Sequence, residues 1–142
     1  MPLFPVARDQ RKEAIVTKAR ISTENAPAAV GPYSQAVAVN GLVFCSGQIP
    51  LDPRTGELVT GSIADQTRRC MKNLEAVLVE AGSGLDQLVK VNVYLADIGD
   101  YAEFNDAYGE FIGTEAPARA AVAVAGLPKG ARVEVECVAL TP

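Results

Sequence analysis

Two hydrophobic rhythms alternate along the chain. In "LVKVNVYLAD", residues 88–97, Val89, Val91, Val93 and Leu95 fall on one side and Lys90, Asn92 and Tyr94 on the other, the two-residue period of a half-buried strand. "SIADQTRRCMKNLEAVLVEAG", residues 62–82, changes to helical spacing, with Ile63, Cys70, Leu74, Val77, Leu78 and Ala81 on one stripe. Ser62 with Asp65 suits its start and Gly82 a left-handed end. "SQAVAVNGLVFCSGQ" holds two short β-rich runs divided by Asn40-Gly41, the pair that best fits a two-residue hairpin turn. "DPRTGE", residues 52–57, is a turn cluster. A shorter helix is expected in "DYAEFNDAYGEF", capped by Asp100, with Tyr101, Phe104, Tyr108 and Phe111 as packing aromatics. The closing runs "ARAAVAVAG" and "ARVEVECVAL", joined by "LPKG", read as a final strand pair.

This order of strands, helix, strand, helix and two strands predicts an α+β fold, a sheet with two helices on one face. Residues 1–18 read as a leader and 19–142 as one domain. The run 118–125 is apolar on both sides, because Ala118, Ala120, Val122 and Val124 alternate with Arg119, Ala121, Ala123 and Ala125. Two-sided apolar strands are normally covered on both faces, which predicts that the uncovered sheet face meets another subunit. Burying ~600 Å² of apolar surface there contributes on the order of 15 kcal/mol before association entropy is subtracted.

Charge narrows the partners. A net charge of −4 disfavours phosphate backbones and anionic membranes, and no 18-residue apolar run is present. The leader carries Arg8, Arg11, Lys12 and Lys18, as a mitochondrial presequence would, but Asp9, Glu13 and the lack of serine count against one; a cytoplasmic chain is expected, with a mitochondrial one as the alternative. Three separated cysteines and no histidine provide no zinc-ligand pattern and no Ser-His or Cys-His pair. Chemistry therefore falls to carboxylates, arginine, tyrosine, hydroxyls and backbone.

Arg119 stands alone in "APARAAVAV". A guanidinium stays charged and needs a partner, either a carboxylate of this chain or that of a ligand. If residues 126–130 form a hairpin turn, Val122 faces Glu134, so Arg119 and Glu134 point to opposite faces about three residues, ~10 Å, apart; a one-residue bulge returns them to one side.

"ENAPAAVGPYSQAV", "SGQIPLDPRTGEL", "YLADIGDYAEFNDAYGEF", "PARAAV" and "LPKGARVEVECVAL" resemble the RidA (YjgF) family of reactive-intermediate deaminases, from Ile21 to Leu140. The resemblance implies a chorismate-mutase-like mixed sheet assembled as a homotrimer with clefts between subunits. It implies hydrolysis of 2-imino or enamino acids, such as 2-iminopropanoate and 2-iminobutanoate, to 2-keto acids and ammonia, without metal or cofactor. By this resemblance Arg119, Glu134 and Tyr33 are catalytic, and Arg119, Ser46, Gly47, Asn105 and Ala121 bind substrate. Arg119 matches a carboxylate through two parallel charge-assisted bonds, and Glu134 holds a water against the imine carbon. Ala121 stands where many bacterial relatives have cysteine. The loop "IGTEA" before Pro117 looks shorter than in several of them. Ribonuclease or translation-inhibitor activity, and a non-catalytic carboxylate-binding or chaperone-like role, are the alternatives.

Overall fold

The computed structural model describes residues 17–142, so all but the end of the expected leader, residues 1–18, lies outside the described residues. Six strands and two helices follow in the order β1 (Ala19–Ile21), β2 (Ala36–Val39), β3 (Leu42–Gln48), α1 (Ile63–Glu80), β4 (Leu88–Leu95), α2 (Tyr101–Gly109), β5 (Ala118–Ala123) and β6 (Val133–Leu140). They form one mixed sheet in the order β1-β2-β3-β6-β4-β5, with every neighbouring pair antiparallel except β4 and β5.

Local chemistry sets the ends of several elements. Asn40 and Gly41, at φ 50° and 76°, make the left-handed two-residue turn of the β2–β3 hairpin. At the start of α1, Ser62 Oγ accepts from the Asp65 N–H at 3.1 Å and Asp65 Oδ2 accepts from the Ser62 N–H at 3.2 Å, a complete capping box. At its end Gly82 has φ 79°; its N–H donates to Val79 and that of Ser83 to Leu78, which closes the last turn in a Schellman arrangement. Ile63, Cys70, Leu74, Val77 and Leu78 of α1 are buried against Val43, Cys45, Val91, Val93, Val133, Val135 and Cys137 of the sheet. Both helices cover this face, with α2 packed on α1.

Four expectations need correction. The two closing strands do not pair with each other, because β4 lies between them. Lys90 pairs with Ala118 on one side and Val138 on the other, so the hairpin register that set Val122 opposite Glu134 does not exist. The reason is the helix between β4 and β5: a strand-helix-strand connection returns the chain beside its first strand in parallel. Val89 is exposed rather than on the core side, since a register irregularity between Leu88 and Lys90 turns Leu88 inward in its place. Asp100 does not cap α2; its carboxylate takes the Arg132 Nη2 donor at 2.9 Å, while Asp97 accepts from the Gly99 N–H at 2.8 Å and organises the preceding turn. Of the four aromatics assigned to packing, Phe104 and Tyr108 are buried and Phe111 is half-buried, but Tyr101 is 38% exposed.

β5 is an edge strand, and in the single chain Ala118, Ala120, Val122 and Ala123 are exposed. On the sheet face away from the helices, Phe44, Val122 and Leu140 also reach solvent, a set of large apolar side chains out of place on a closed surface.

Candidate functional site

Arg119 sits on β5 opposite Val91, a core residue, so its side chain rises on the helical face and meets α2. Its Nη2 donates to Tyr101 Oη at 2.7 Å and to Asn105 Oδ1 at 2.8 Å. Tyr101 and Asn105 are one helical turn apart, which is why a single nitrogen reaches both. The guanidinium carbon lies 4.8 Å from the centroid of the Tyr108 ring and 5.7 Å from those of Tyr101 and Phe104, an aromatic platform that attracts a cation. Among the described residues no carboxylate forms an ion pair with Arg119. An open hollow of about 540 Å³ lies beside it, lined by Ile98, Tyr101, Arg119 and Ala121. Tyr108 Oη is buried without a hydrogen-bond partner among the described residues; burial pushes its pKa up, and the Arg119 charge acts in the other direction.

Glu134 points the other way. It pairs with Tyr94 across β4 and β6, and Tyr94 lies on the face that the helices leave open. Its carboxylate is pushed above its ordinary pKa, first by burial and then by the neighbouring charge of Glu136. Gly47 explains how the carboxylate fits. β3 holds one extra residue between Cys45 and Gln48 relative to β6, and a Cβ on Gly47 in this bulge would stand 2.5 Å from Glu134 Oε2 and 2.9 Å from Cδ. Glycine there lets the acid lie against the backbone.

Tyr33 borders the same hollow of about 360 Å³ as Gly47, Gln48, Lys129 and Glu134. It is 52% exposed, and its hydroxyl accepts the Val30 N–H at 3.2 Å. The loop that carries it is tied down by buried Gln35, whose Nε2 donates to the carbonyls of Thr23 at 3.0 Å and Pro27 at 2.8 Å and whose Oε1 accepts from the Thr23 N–H at 2.7 Å. Ser46, next to Gly47, does not line this hollow; its hydroxyl donates to the Ser34 carbonyl at 2.6 Å and links β3 to the Tyr33 loop.

One chain thus holds two candidate half-sites on opposite faces of its sheet. The first contains Arg119, Asn105 and Ala121, the second Tyr33, Gly47 and Glu134. Arg119 and Glu134 share neither hollow.

The model of the family described as endoribonuclease L-PSP matches residues 23–141. The human 2-iminobutanoate/2-iminopropanoate deaminase is 47% identical over 120 residues, 84% of this chain and 88% of the human one. The chain belongs to the RidA family. It is also 49% identical to a RutC family protein of Pyrococcus abyssi, over 87% of this chain and 98% of that protein. Among solved structures, E. coli TdcF with bound serine matches with a TM-score of 0.81 and 38% identity, over 87% of this chain and 99% of TdcF.

All seven residues assigned through the RidA resemblance stand in or beside the two half-sites, although the Ser46 hydroxyl is already committed to the backbone. Sequence reasoning missed Tyr101, which lines the Arg119 hollow and bonds the guanidinium. Its signal was the spacing Tyr101-x-x-x-Asn105, two polar tips one turn apart on the helix that leads into β5. Lys129 was read as a turn charge. Its Nζ donates to the Gly56 carbonyl at 3.3 Å, and it also borders the Glu134 hollow, from a left-handed backbone at φ 57°.

Proposed function

We propose that this chain hydrolyses short 2-imino acids to 2-keto acids and ammonia, in clefts where the Arg119 half of one copy meets the Glu134 half of the next. The observation that carries this reading is that Arg119 holds no carboxylate of the described residues, while the acid that could serve it faces the opposite side of the sheet. An inter-subunit cleft reconciles the two. It also covers the apolar set Phe44, Val122 and Leu140 and the exposed β5 edge. A homotrimer is the assembly proposed, with a heterologous contact repeated around a ring so that three copies make three equivalent clefts. The name of the human relative and the serine bound by TdcF agree with a small amino-acid-derived carboxylate as ligand.

In the cleft, the substrate carboxylate rests on the Arg119 group. A water held by Glu134 attacks C2 of the imine, its proton passing to the carboxylate and then to nitrogen. The carbinolamine hydroxyl then gives its proton through the same carboxylate to the amine nitrogen, and as the C–N bond breaks and the C=O bond forms, ammonia leaves. The raised pKa of Glu134 suits this exchange, because a desolvated carboxylate takes a proton more readily than an exposed one. Tyr33, whose hydroxyl accepts from Val30 and keeps its own proton, is placed to donate to the water or the leaving group. Free imines already hydrolyse in water, so orienting substrate and water supplies much of what is needed.

The test is an assay in which a threonine dehydratase releases 2-iminobutanoate and the appearance of 2-oxobutanoate is followed. Adding this protein is expected to accelerate keto-acid formation in proportion to its concentration. An unchanged rate across a concentration series overturns the proposal.

A further inference from the structure

An arginine can meet a carboxylate with two parallel hydrogen bonds in two ways, end-on through Nη1 and Nη2 or side-on through Nε and Nη2. Both ways require a hydrogen on Nη2. In this chain Nη2 has two hydrogens and two acceptors, Tyr101 Oη at 2.7 Å and Asn105 Oδ1 at 2.8 Å, so the fork is already occupied. What remains are the hydrogens on Nη1 and Nε, which cannot pair side by side on one carboxylate.

Tyr101 offers the missing second donor. A phenol carries one proton and can accept as well as donate. Here its oxygen accepts from Arg119, and its own proton has no acceptor among the described residues. The residue is 38% exposed and lines the same hollow as Arg119 and Ala121. We propose that Tyr101 is a substrate-binding residue: its hydroxyl donates to one carboxylate oxygen while a remaining Arg119 N–H donates to the other. This rests on the reading above, that the Arg119 hollow takes a small 2-imino or 2-keto acid. Asn105 is then a positioning residue, which fixes the guanidinium from the far side of Nη2 and leaves the ligand to Tyr101.

The two modes predict opposite responses to Tyr101→Phe. Removing the hydroxyl frees one Nη2 hydrogen, so a protein that binds through the fork holds the ligand as well as before or more tightly. A protein that binds through Tyr101 loses a donor to a charged group, which weakens binding about tenfold or more. The experiment titrates the full chain and Tyr101→Phe with 2-oxobutanoate by calorimetry, with thermal unfolding to verify the fold. In parallel, the chain labelled with 13C at tyrosine Cζ is titrated; its four tyrosines are few enough for the Tyr101 signal to be assigned from the variant.

We expect weaker binding in the variant, a Tyr101 resonance that moves and saturates with the calorimetric binding curve, and a loss that falls on KM rather than kcat, as for an interaction made equally in ground and transition states. A resonance that stays fixed during saturation, or a variant that binds with equal or greater affinity, overturns the assignment of Tyr101 while leaving the deaminase reading in place. Failure of the unsubstituted protein to bind 2-oxobutanoate at all removes both.

Discussion

Arg119→Ala is expected to abolish the acceleration of keto-acid release while leaving the chain folded. Among the described residues the guanidinium is the only cation lining its hollow, beside Ile98, Tyr101 and Ala121, so these residues leave the truncated site nothing to neutralise a substrate carboxylate. Arg119→Ala removes its own charge-assisted bond to the carboxylate, worth roughly 1.5–3 kcal/mol, and releases the Tyr101 hydroxyl that Nη2 holds in place for the second; the loss of two such bonds places the fall in kcat/KM at about 10²–10⁴-fold. The structural cost is small by comparison. Arg119 contributes stacking on Tyr108 and two bonds to exposed partners, interactions worth about 1 kcal/mol in total at a solvent-accessible position. Keto-acid assays and thermal unfolding on the same preparation separate the two effects. Full activity in a folded Arg119→Ala protein contradicts the assignment.

Glu134→Gln is expected to remove turnover and raise stability at neutral pH. Burial and Glu136 push the Glu134 pKa above its ordinary value of 4.5, so the folded protein holds this proton more tightly than the unfolded chain does. Below pH 4.5 the group is protonated in both states and costs nothing. As pH rises through 4.5 the unfolded chain ionises first and stability falls, until the folded-state pKa is passed; from there upward the full loss persists. Glutamine is neutral throughout, so the variant should unfold at a higher temperature than the parent at pH 7, with the difference shrinking as pH falls from the folded-state pKa towards 4.5 and vanishing below it. The same shift places the acid limb of the activity profile above pH 4.5, because only the ionised carboxylate can take the proton of water. A variant with parental activity, or one less stable than the parent at pH 7, contradicts this account. The combination of lost function and gained stability separates a functional carboxylate from one kept for packing.

Where the determinant was local, the sequence was a good guide. Asn40-Gly41 specified a turn needing two positive φ angles, and Ser62 with Asp65 specified a helix start, because these residues act on backbone groups no more than three positions away. Alternation along 88–95 located β4 but not the irregularity that exchanges Val89 for Leu88. β1 was not anticipated: its three residues, two of them exposed, are held by pairing with β2 rather than by any period of their own. The pairing of β5 was misread because adjacency in sequence suggested a hairpin, whereas α2 returns the chain to β4. The separation of Arg119 from Glu134 was anticipated from a register that does not occur; it holds because each pairs with β4 at positions of opposite facing, Val91 and Tyr94. Tyr101 escaped notice because an aromatic at helical spacing reads as packing, and only the fold shows that its tip meets Arg119.

The central claim is that a working site takes its arginine from one copy and its glutamate from another. Arg119→Ala and Glu134→Gln chains, each inactive alone, can be mixed in equal amounts in denaturant, refolded together and assayed with the dehydratase. In a heterologous ring about a quarter of the clefts then pair an intact arginine half with an intact glutamate half, and activity should return to about that fraction of the parental value. A mixture that refolds into assemblies yet stays as inactive as its two components would show that the halves do not meet across a subunit boundary.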